Sequence, residues 1–130
     1  MNFLKKLFGR SDNDDEGEDA PITLDVERRK VQLIRLEQAL DALASQMRAE
    51  QSMDNPGWRG RVNEYGRLAG EAMTQRKSTF SRETLLDLVF EVRPVFSGPI
   101  PDGLEKLVPL QAEVMAAAED LQTLLPGERG

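Results

Sequence analysis

ITLDVERRKVQLIRLEQALDALASQMRAEQSM, residues 22–53, is the stretch from which the architecture follows. Steps of three and four along it give an apolar series that Arg29 alone interrupts: Ile22, Val26, Arg29, Leu33, Leu36, Leu40, Leu43 and Met47. No proline or glycine lies between Pro21 and Pro56, so no residue in the interior breaks a helix. The spacing predicts one helix of roughly 30 residues, about 45 Å long, with Thr23 near its start as the N-cap.

Additional apolar residues widen this stripe, and the width predicts how the helix is covered. Val31, Ile34, Ala39 and Ala44 lie beside the main series. A stripe of this width suits a helical bundle better than a two-stranded coiled coil. The sequence therefore predicts an all-α bundle of three to four helices over residues 22–126, with its first and last helices packed along their length. Arg29 in the stripe hints at an incompletely closed face, and the stripe could instead be shared in a homodimer through the 22–53 helix.

The second helix starts at a clear signal, since Asn55 can cap it and Pro56 suits its first position. Its apolar residues follow helical spacing: Trp58, Val62, Tyr65, Ala69 and Ala72. Gly66 and Gly70 lie four residues apart, so they could admit a neighbouring backbone closely. Flexibility explains the two glycines equally well.

The third element, residues 82–93, has apolar side chains on nearly all sides, which predicts a helix that fills the centre of the bundle. A strand at residues 88–92 is the alternative, because so short a run does not separate the two periods. An extended proline-rich connection follows. Asp102 to Glu105 has the pattern of a capping box for a last helix over 104–125, with a kink or a fresh start near Pro109.

Residues 1–10 form an amphipathic segment with a charge of +3, and residues 11–21 form an acidic linker that we expect to be disordered. On a helix the first segment places four apolar side chains on one side and two lysines towards the other: Phe3, Leu4, Leu7 and Phe8 against Lys5 and Lys6. This pattern predicts docking on a membrane surface or in a groove of an unknown partner protein. Folding back onto the bundle is the alternative. Residues 127–130 form a tail.

The composition excludes several classes of chemistry. The chain has no cysteine and no histidine, which removes disulfides, Cys/His zinc sites and histidine-activated nucleophiles. The longest stretch without a charge has eight residues, 94–101, so we expect no transmembrane segment. We expect a cytoplasmic protein without cofactor or enzymatic activity, and peripheral attachment at the inner face of the membrane is compatible with this expectation.

Three carboxylates spaced by four residues could bind a divalent cation. Glu83, Asp87 and Glu91 line one edge of the third helix, and their oxygens suit Mg²⁺ or Mn²⁺. One such ladder cannot enclose an ion, however, and a solvated helix face explains it better. A metal-dependent helical enzyme is therefore the weakest alternative, and we assign no metal site.

Residues 58–82 carry a charge of +4 and interleave aromatic residues, which is the composition of a modest nucleic-acid surface. The candidate contacts are Arg59, Arg61, Arg67, Arg76 and Lys77. The aromatic residues coincide with the apolar stripe, Arg67 can pair with Glu64 and Glu71 at helical spacing, and the whole chain is acidic. Nucleic-acid binding is therefore an alternative, and the leading hypothesis is a non-enzymatic interaction or scaffold protein.

Overall fold

The computed structural model describes residues 24–128, which fold into four helices and contain no strand. The helices are α1 (Val26–Glu50), α2 (Pro56–Lys77), α3 (Arg82–Glu91) and α4 (Leu107–Gln122). The all-α prediction and the long first helix are thereby confirmed. The amphipathic segment and the whole acidic linker lie outside the described residues.

α1 begins two residues later than the sequence predicts. Asp25 is its N-cap, and the Asp25 carboxylate accepts the N–H of Arg28 at 3.2 Å. This carboxylate satisfies one of the donors that every helix start leaves without a partner, so the start near Thr23 is wrong. The other end falls at Glu50, where the Gln51 N–H donates to the Met47 carbonyl.

The starts of α2 and α3 follow local sequence signals. The Asn55 side chain caps α2 with Pro56 in the first position, as predicted. Ser81 and Thr84 form a reciprocal capping box at the start of α3. α3 is helical through Glu91, so the strand alternative for residues 88–92 is wrong.

α4 starts afresh after a turn, and the predicted capping box does not form. The Glu105 carboxylate accepts the N–H of Gly103 at 3.0 Å, while Lys106 occupies the N-cap without a side-chain hydrogen bond. Gly103 has a φ of 89°, a conformation that favours glycine. Because α4 begins at Leu107, Pro109 falls in its first turn, where proline is tolerated. The prediction of a fresh start near Pro109 is confirmed.

The four helices form a ring. Each helix packs against the next one in sequence, and α4 packs against α1 to complete the ring. α1 packs against α2 and α4, and α3 packs against the same two helices from the opposite side. Neighbours run antiparallel: Arg76 near the end of α2 pairs with Glu37 of α1 at 2.6 Å, and Lys106 pairs with Glu50 at 3.9 Å. The predicted packing of the first and last helices is confirmed.

α1 supplies the centre of the core, and α3 does not. The fully buried residues of α1 are Arg29, Leu33, Leu36, Leu40, Leu43 and Met47. α3 buries Leu85, Leu88 and Val89 but leaves Phe90 54% exposed, so its central placement is wrong. Of the residues expected to widen the α1 stripe, Ala39 and Ala44 are buried. Val31 and Ile34 are 66% and 37% exposed, which corrects that part of the prediction.

Arg29 closes the end of the bundle at which α1 starts. Its guanidinium, which is completely buried, donates to the Glu128 carboxylate through both Nε and Nη2, with the Nε bond at 2.9 Å. Further bonds reach the carbonyls of Leu121 at 3.2 Å and Thr123 at 2.7 Å, at the end of α4. The hint of an incompletely closed face is therefore wrong, because this arginine caps the open carbonyls of α4.

Glu128 completes this cluster, which we call the Arg29 lock and which comprises Arg29, Glu128 and the backbone groups they bind. The Glu128 carboxylate also accepts the N–H groups of Asp25 at 2.9 Å and Leu125 at 2.8 Å. Hydrogen bonds from Arg29 and from these amides lower the pKa of Glu128 to about 2. The residue lies in the segment that sequence alone assigns to the tail, and it ties the last described residue to the start of α1.

Among residues 24–128, no helix combines the length and the apolar character that crossing a lipid bilayer requires.

Candidate binding groove on α2

A groove of about 600 Å³ lies between the first half of α2 and the segment that follows α3. Pro56, Leu68 and Pro94 contribute apolar walls, and Tyr65 contributes its ring. The volume is within the range of sites that bind small ligands or a few side chains of a partner. This groove, which we call the α2 groove, is the leading candidate site within the described part of the chain.

Two glycines create the space. Gly57 and Gly60 line the groove one helical turn apart. A Cβ atom placed at Gly60 would meet no other atom within 4 Å, so no packing contact requires a glycine there. A larger side chain at this position would extend into the groove itself.

Side chains of α2 hold the opposite wall in place. The Tyr65 hydroxyl, which belongs to a residue buried at the base, donates to the Arg93 carbonyl. Arg61 donates to the carbonyls of Pro94 at 3.3 Å and Val95 at 2.7 Å. Burial raises the pKa of Tyr65 above its usual value. Because these carbonyls already have donors, the wall suits an apolar occupant that brings few hydrogen bonds of its own.

The rim of the groove carries paired charges. Arg67 donates to Glu64 on the same helix at 2.7 Å and to Glu91 of α3. These hydrogen bonds raise the pKa of Arg67 and lower the pKa of Glu64. The expected pairing of Arg67 with Glu64 is present, and Glu91 takes the place expected for Glu71. All three side chains are about half exposed, so the cluster contributes little to stability.

A smaller cavity of about 180 Å³ lies between α2 and α3 and takes in part of the acidic ladder. Asp87 and Glu91 line it together with Glu71, whereas Glu83 lines a different cavity. Gln75, 7% exposed, donates to the Thr84 carbonyl at 3.0 Å. Within residues 24–128, no three carboxylates lie close enough together to hold a metal ion. The ladder does not act as one site in this arrangement.

A third cavity, of about 510 Å³, lies where the chain enters α1. Leu24 and Val26 form one side of it, and Phe80 and Arg82 form the other. It places the beginning of the described chain directly beside the loop between α2 and α3.

The five basic residues proposed for nucleic-acid contact serve different parts of the bundle. Arg59 donates to the Met53 carbonyl at 3.2 Å, and Arg76 pairs with Glu37. Arg61 and Arg67 hold the wall and the rim of the α2 groove, as described above. Lys77 is exposed at the end of α2. The structure places Arg61 in the lining of the groove and Arg67 in the lining of the neighbouring smaller cavity, and it does not gather the five residues on one face.

The residues predicted to dock on a membrane or partner lie outside the described residues. These are Phe3, Leu4, Lys5, Lys6, Leu7 and Phe8. Sequence reasoning also missed the α2 groove and the role of Glu128. The three-residue spacing of Gly57 and Gly60 indicates open space on one side of α2, but it gives no sign of the segment after α3 that forms the opposite wall.

Comparisons of the chain with protein-family models, with curated proteins and with solved structures give no match in any of the three.

Proposed function

We propose that this protein is a non-enzymatic helical interaction protein whose N-terminal segment docks on a membrane surface or on a partner protein. The segment consists of Phe3, Leu4, Leu7 and Phe8 with Lys5 and Lys6. The observation that carries the proposal is that residues 24–128 complete a core of their own. α1 is covered by α2 and α4, and the Arg29 lock closes the end at which α1 begins. Four large apolar side chains are thus left to bury elsewhere.

The chemistry of the described residues supports a binding role over catalysis. The carboxylates with lowered pKa values, Glu64, Glu113 and Glu128, each accept hydrogen bonds from an arginine. Such shifts accompany structural ion pairs, whereas a general acid or base needs a pKa near the working pH. The α2 groove is apolar and its polar groups are occupied, which suits binding.

Docking through four side chains gives weak and reversible attachment. Full burial of each contributes about 1.5–3 kcal/mol, and partial insertion contributes less. The linker residues 11–20 carry a charge of −6 and oppose adsorption to an anionic surface. The apolar side chains therefore contribute most of the attachment to a membrane. Such attachment would be peripheral, at the inner face of the membrane.

Flotation of the full chain with zwitterionic vesicles tests the proposal. We expect the wild-type protein to float and the double variant Phe3→Ser, Leu7→Ser to stay in the protein fraction. The matched control is Val31→Ser, Ile34→Ser, which removes two apolar side chains that are exposed on α1. Equal flotation of both double variants contradicts membrane docking by the segment. Absence of the wild type from the lipid fraction directs the proposal to a protein partner.

The other hypotheses have less support. Four of the five basic residues on α2 already bind groups of the chain, which weakens the nucleic-acid alternative. The apolar stripe of α1 is covered by α2 and α4 of the same chain, so a homodimer through α1 would use its outer face around Val31 and Ile34. Such a dimer remains a prediction.

A further inference from the structure

We infer that residues 3–8 also have a binding site within their own chain, the α2 groove, which they occupy when they are not docked elsewhere. The inference rests on the proposed function, since it assumes that the same apolar side chains form the docking element. It concerns a different surface, however, and its test is separate.

The chemistry of the groove matches that of the segment. Its walls are apolar, and its carbonyls are already bound by Tyr65 and Arg61, so an occupant needs to offer apolar surface. Phe3, Leu4, Leu7 and Phe8 offer such a surface. The rim carries two carboxylates, Glu64 and Glu91, whose charge is opposite to that of Lys5 and Lys6. Both carboxylates bind Arg67, and Arg61 and Arg93 also line the groove, so the apolar side chains carry the match and the lysines add to it.

The connecting chain is long enough. Fifteen residues, 9–23, join Phe8 to Leu24. As a coil they span about 20 Å on average, and they reach about 50 Å when fully extended. Leu24 shares a cavity with Phe80, just past the end of α2. From Lys77 back to Gly60 the helix rises about 26 Å, which the connection covers without full extension.

The charge of the connection favours this path. Residues 11–20 carry −6, and residues 58–82, most of which form α2, carry +4. Lys77 is exposed at the end of α2 nearest to Leu24, and Arg67 is half-exposed further along the helix towards the groove. An acidic segment that runs along a basic helix is attracted to that helix, and added salt weakens the attraction.

A single spin label tests the contact in the full chain. The sequence has no cysteine, so Ser11→Cys creates one attachment site, three residues after Phe8. We expect the label to broaden the amide resonances of Gly57, Gly60 and Ser97 at the groove. The amides of Arg35 and Glu113, whose side chains pair across α1 and α4, should keep their intensity.

Two matched glycine variants show whether the groove itself is responsible. Gly60→Leu fills the groove, and Gly66→Leu adds the same side chain to the same helix outside it; neither Cβ meets an atom within 4 Å. We expect broadening at Gly57 and Ser97 to disappear with Gly60→Leu and to persist with Gly66→Leu. It should also decrease at 1 M salt, where charges are screened beyond about 3 Å.

Three results would overturn the inference. One is broadening confined to Val26 and Phe80, near the point where the connection joins the bundle. Another is equal broadening with Gly60→Leu and wild type. The third is broadening of an unlabelled, isotope-enriched chain by a labelled second chain, which would place the contact between molecules.

Vesicle flotation separates this inference from the proposed function. If both hold, Gly60→Leu floats more than wild type, since the segment no longer has a competing site on its own chain. Groove broadening without flotation supports the inference and contradicts membrane docking. Flotation without groove broadening supports membrane docking and overturns the inference.

Discussion

Two charged clusters of the bundle, the Arg29 lock and the cluster around Arg67, differ in how deeply they are buried. On the side of α1 and α4, Arg29 and Glu128 are buried together, and the guanidinium and carboxylate find partners in the surrounding backbone. On the side of α2 and α3, Arg67, Glu64 and Glu91 form a half-exposed cluster around an apolar groove. The first arrangement joins the two ends of the described part of the chain, while the second leaves a surface that an occupant can reach.

This difference follows from what burial costs. A buried ion pair loses the hydration of both ions, so it persists only where hydrogen bonds replace the lost water. The Arg29 lock meets that condition through the end of α4. Exposed ion pairs keep their hydration and contribute little to stability, so the charged side chains at the rim of the groove can change partners at a small cost in free energy.

Removal of Arg29 should cause the largest effect. Arg29→Met leaves the buried Glu128 carboxylate without its cation and the last carbonyls of α4 without donors. We expect the free energy of unfolding to fall by about 3–5 kcal/mol, measured by urea denaturation. Arg35→Met is the matched control, since Arg35 pairs with Glu113 and Asp120 in partly exposed positions. It should cost less than about 1 kcal/mol. Equal losses would show that the buried and exposed pairs do not differ.

The Arg29 lock should also make the free energy of unfolding depend on pH in the acidic range. The Glu128 carboxyl has a pKa of about 2 in the folded protein, below its value in an unfolded chain of about 4.3. A lowered pKa stabilises the fold above the unfolded pKa, and this stabilisation is lost as the pH falls from about 5 to about 2. The shift corresponds to about 3 kcal/mol. Urea denaturation at a series of pH values should show this loss in wild type and a smaller one in Glu128→Gln. Parallel pH profiles would contradict the assignment.

On the groove side, Tyr65→Phe should have a moderate effect. It removes the donor to the Arg93 carbonyl while keeping the buried ring. We expect a loss of about 1 kcal/mol in the free energy of unfolding, together with faster amide exchange in residues 93–97. Burial also raises the pKa of the Tyr65 phenol, so its absorbance should titrate above pH 10. An unchanged exchange rate would mean that the hydroxyl does not hold the wall.

The helical glycines of α2 should give the smallest effects, and in the stabilising direction. Gly60, Gly66 and Gly70 have no atom within 4 Å of an added Cβ. Alanine at each should raise the free energy of unfolding by about 0.5–1 kcal/mol. Gly103→Ala is the contrasting variant, since its φ of 89° strains any residue with a side chain. It should destabilise by about 1 kcal/mol. Thermal denaturation of the four variants measures both directions.

Local patterns in the sequence predicted the helices. The features that these patterns did not predict depend on pairs of residues far apart in the sequence. Helical spacing and the Asn55–Pro56 signal act within a few residues, so the helices and the start of α2 were predictable. The role of Arg29 depends on Glu128, which is 99 residues away in sequence. Amphipathic spacing therefore identified Arg29 as an interruption and gave no sign of its partner.

The placement of α3 and of the candidate site shows the same limit. Apolar residues around α3 indicated a central helix, yet α3 is one side of a ring of four helices and leaves Phe90 exposed, while α1 supplies more buried residues than any other helix. The spacing of Gly66 and Gly70 was compatible with a close neighbour and equally with flexibility, and no described atom lies within 4 Å of a Cβ added at either glycine. The α2 groove depends on how residues 93–97 cross α2, which no local pattern specifies.

Hydrogen exchange of the full chain with and without zwitterionic vesicles tests the difference between the Arg29 lock and the α2 groove most directly. The amide of Gly57 is among the first four of α2 and has no acceptor within the helix, so it reports on whatever covers the groove. Our expectation is faster exchange at Gly57, Arg93 and residues 95–97 when vesicles bind the N-terminal segment, with unchanged exchange around Arg29. Vesicle binding that alters exchange around Arg29 and leaves the groove unchanged would contradict it.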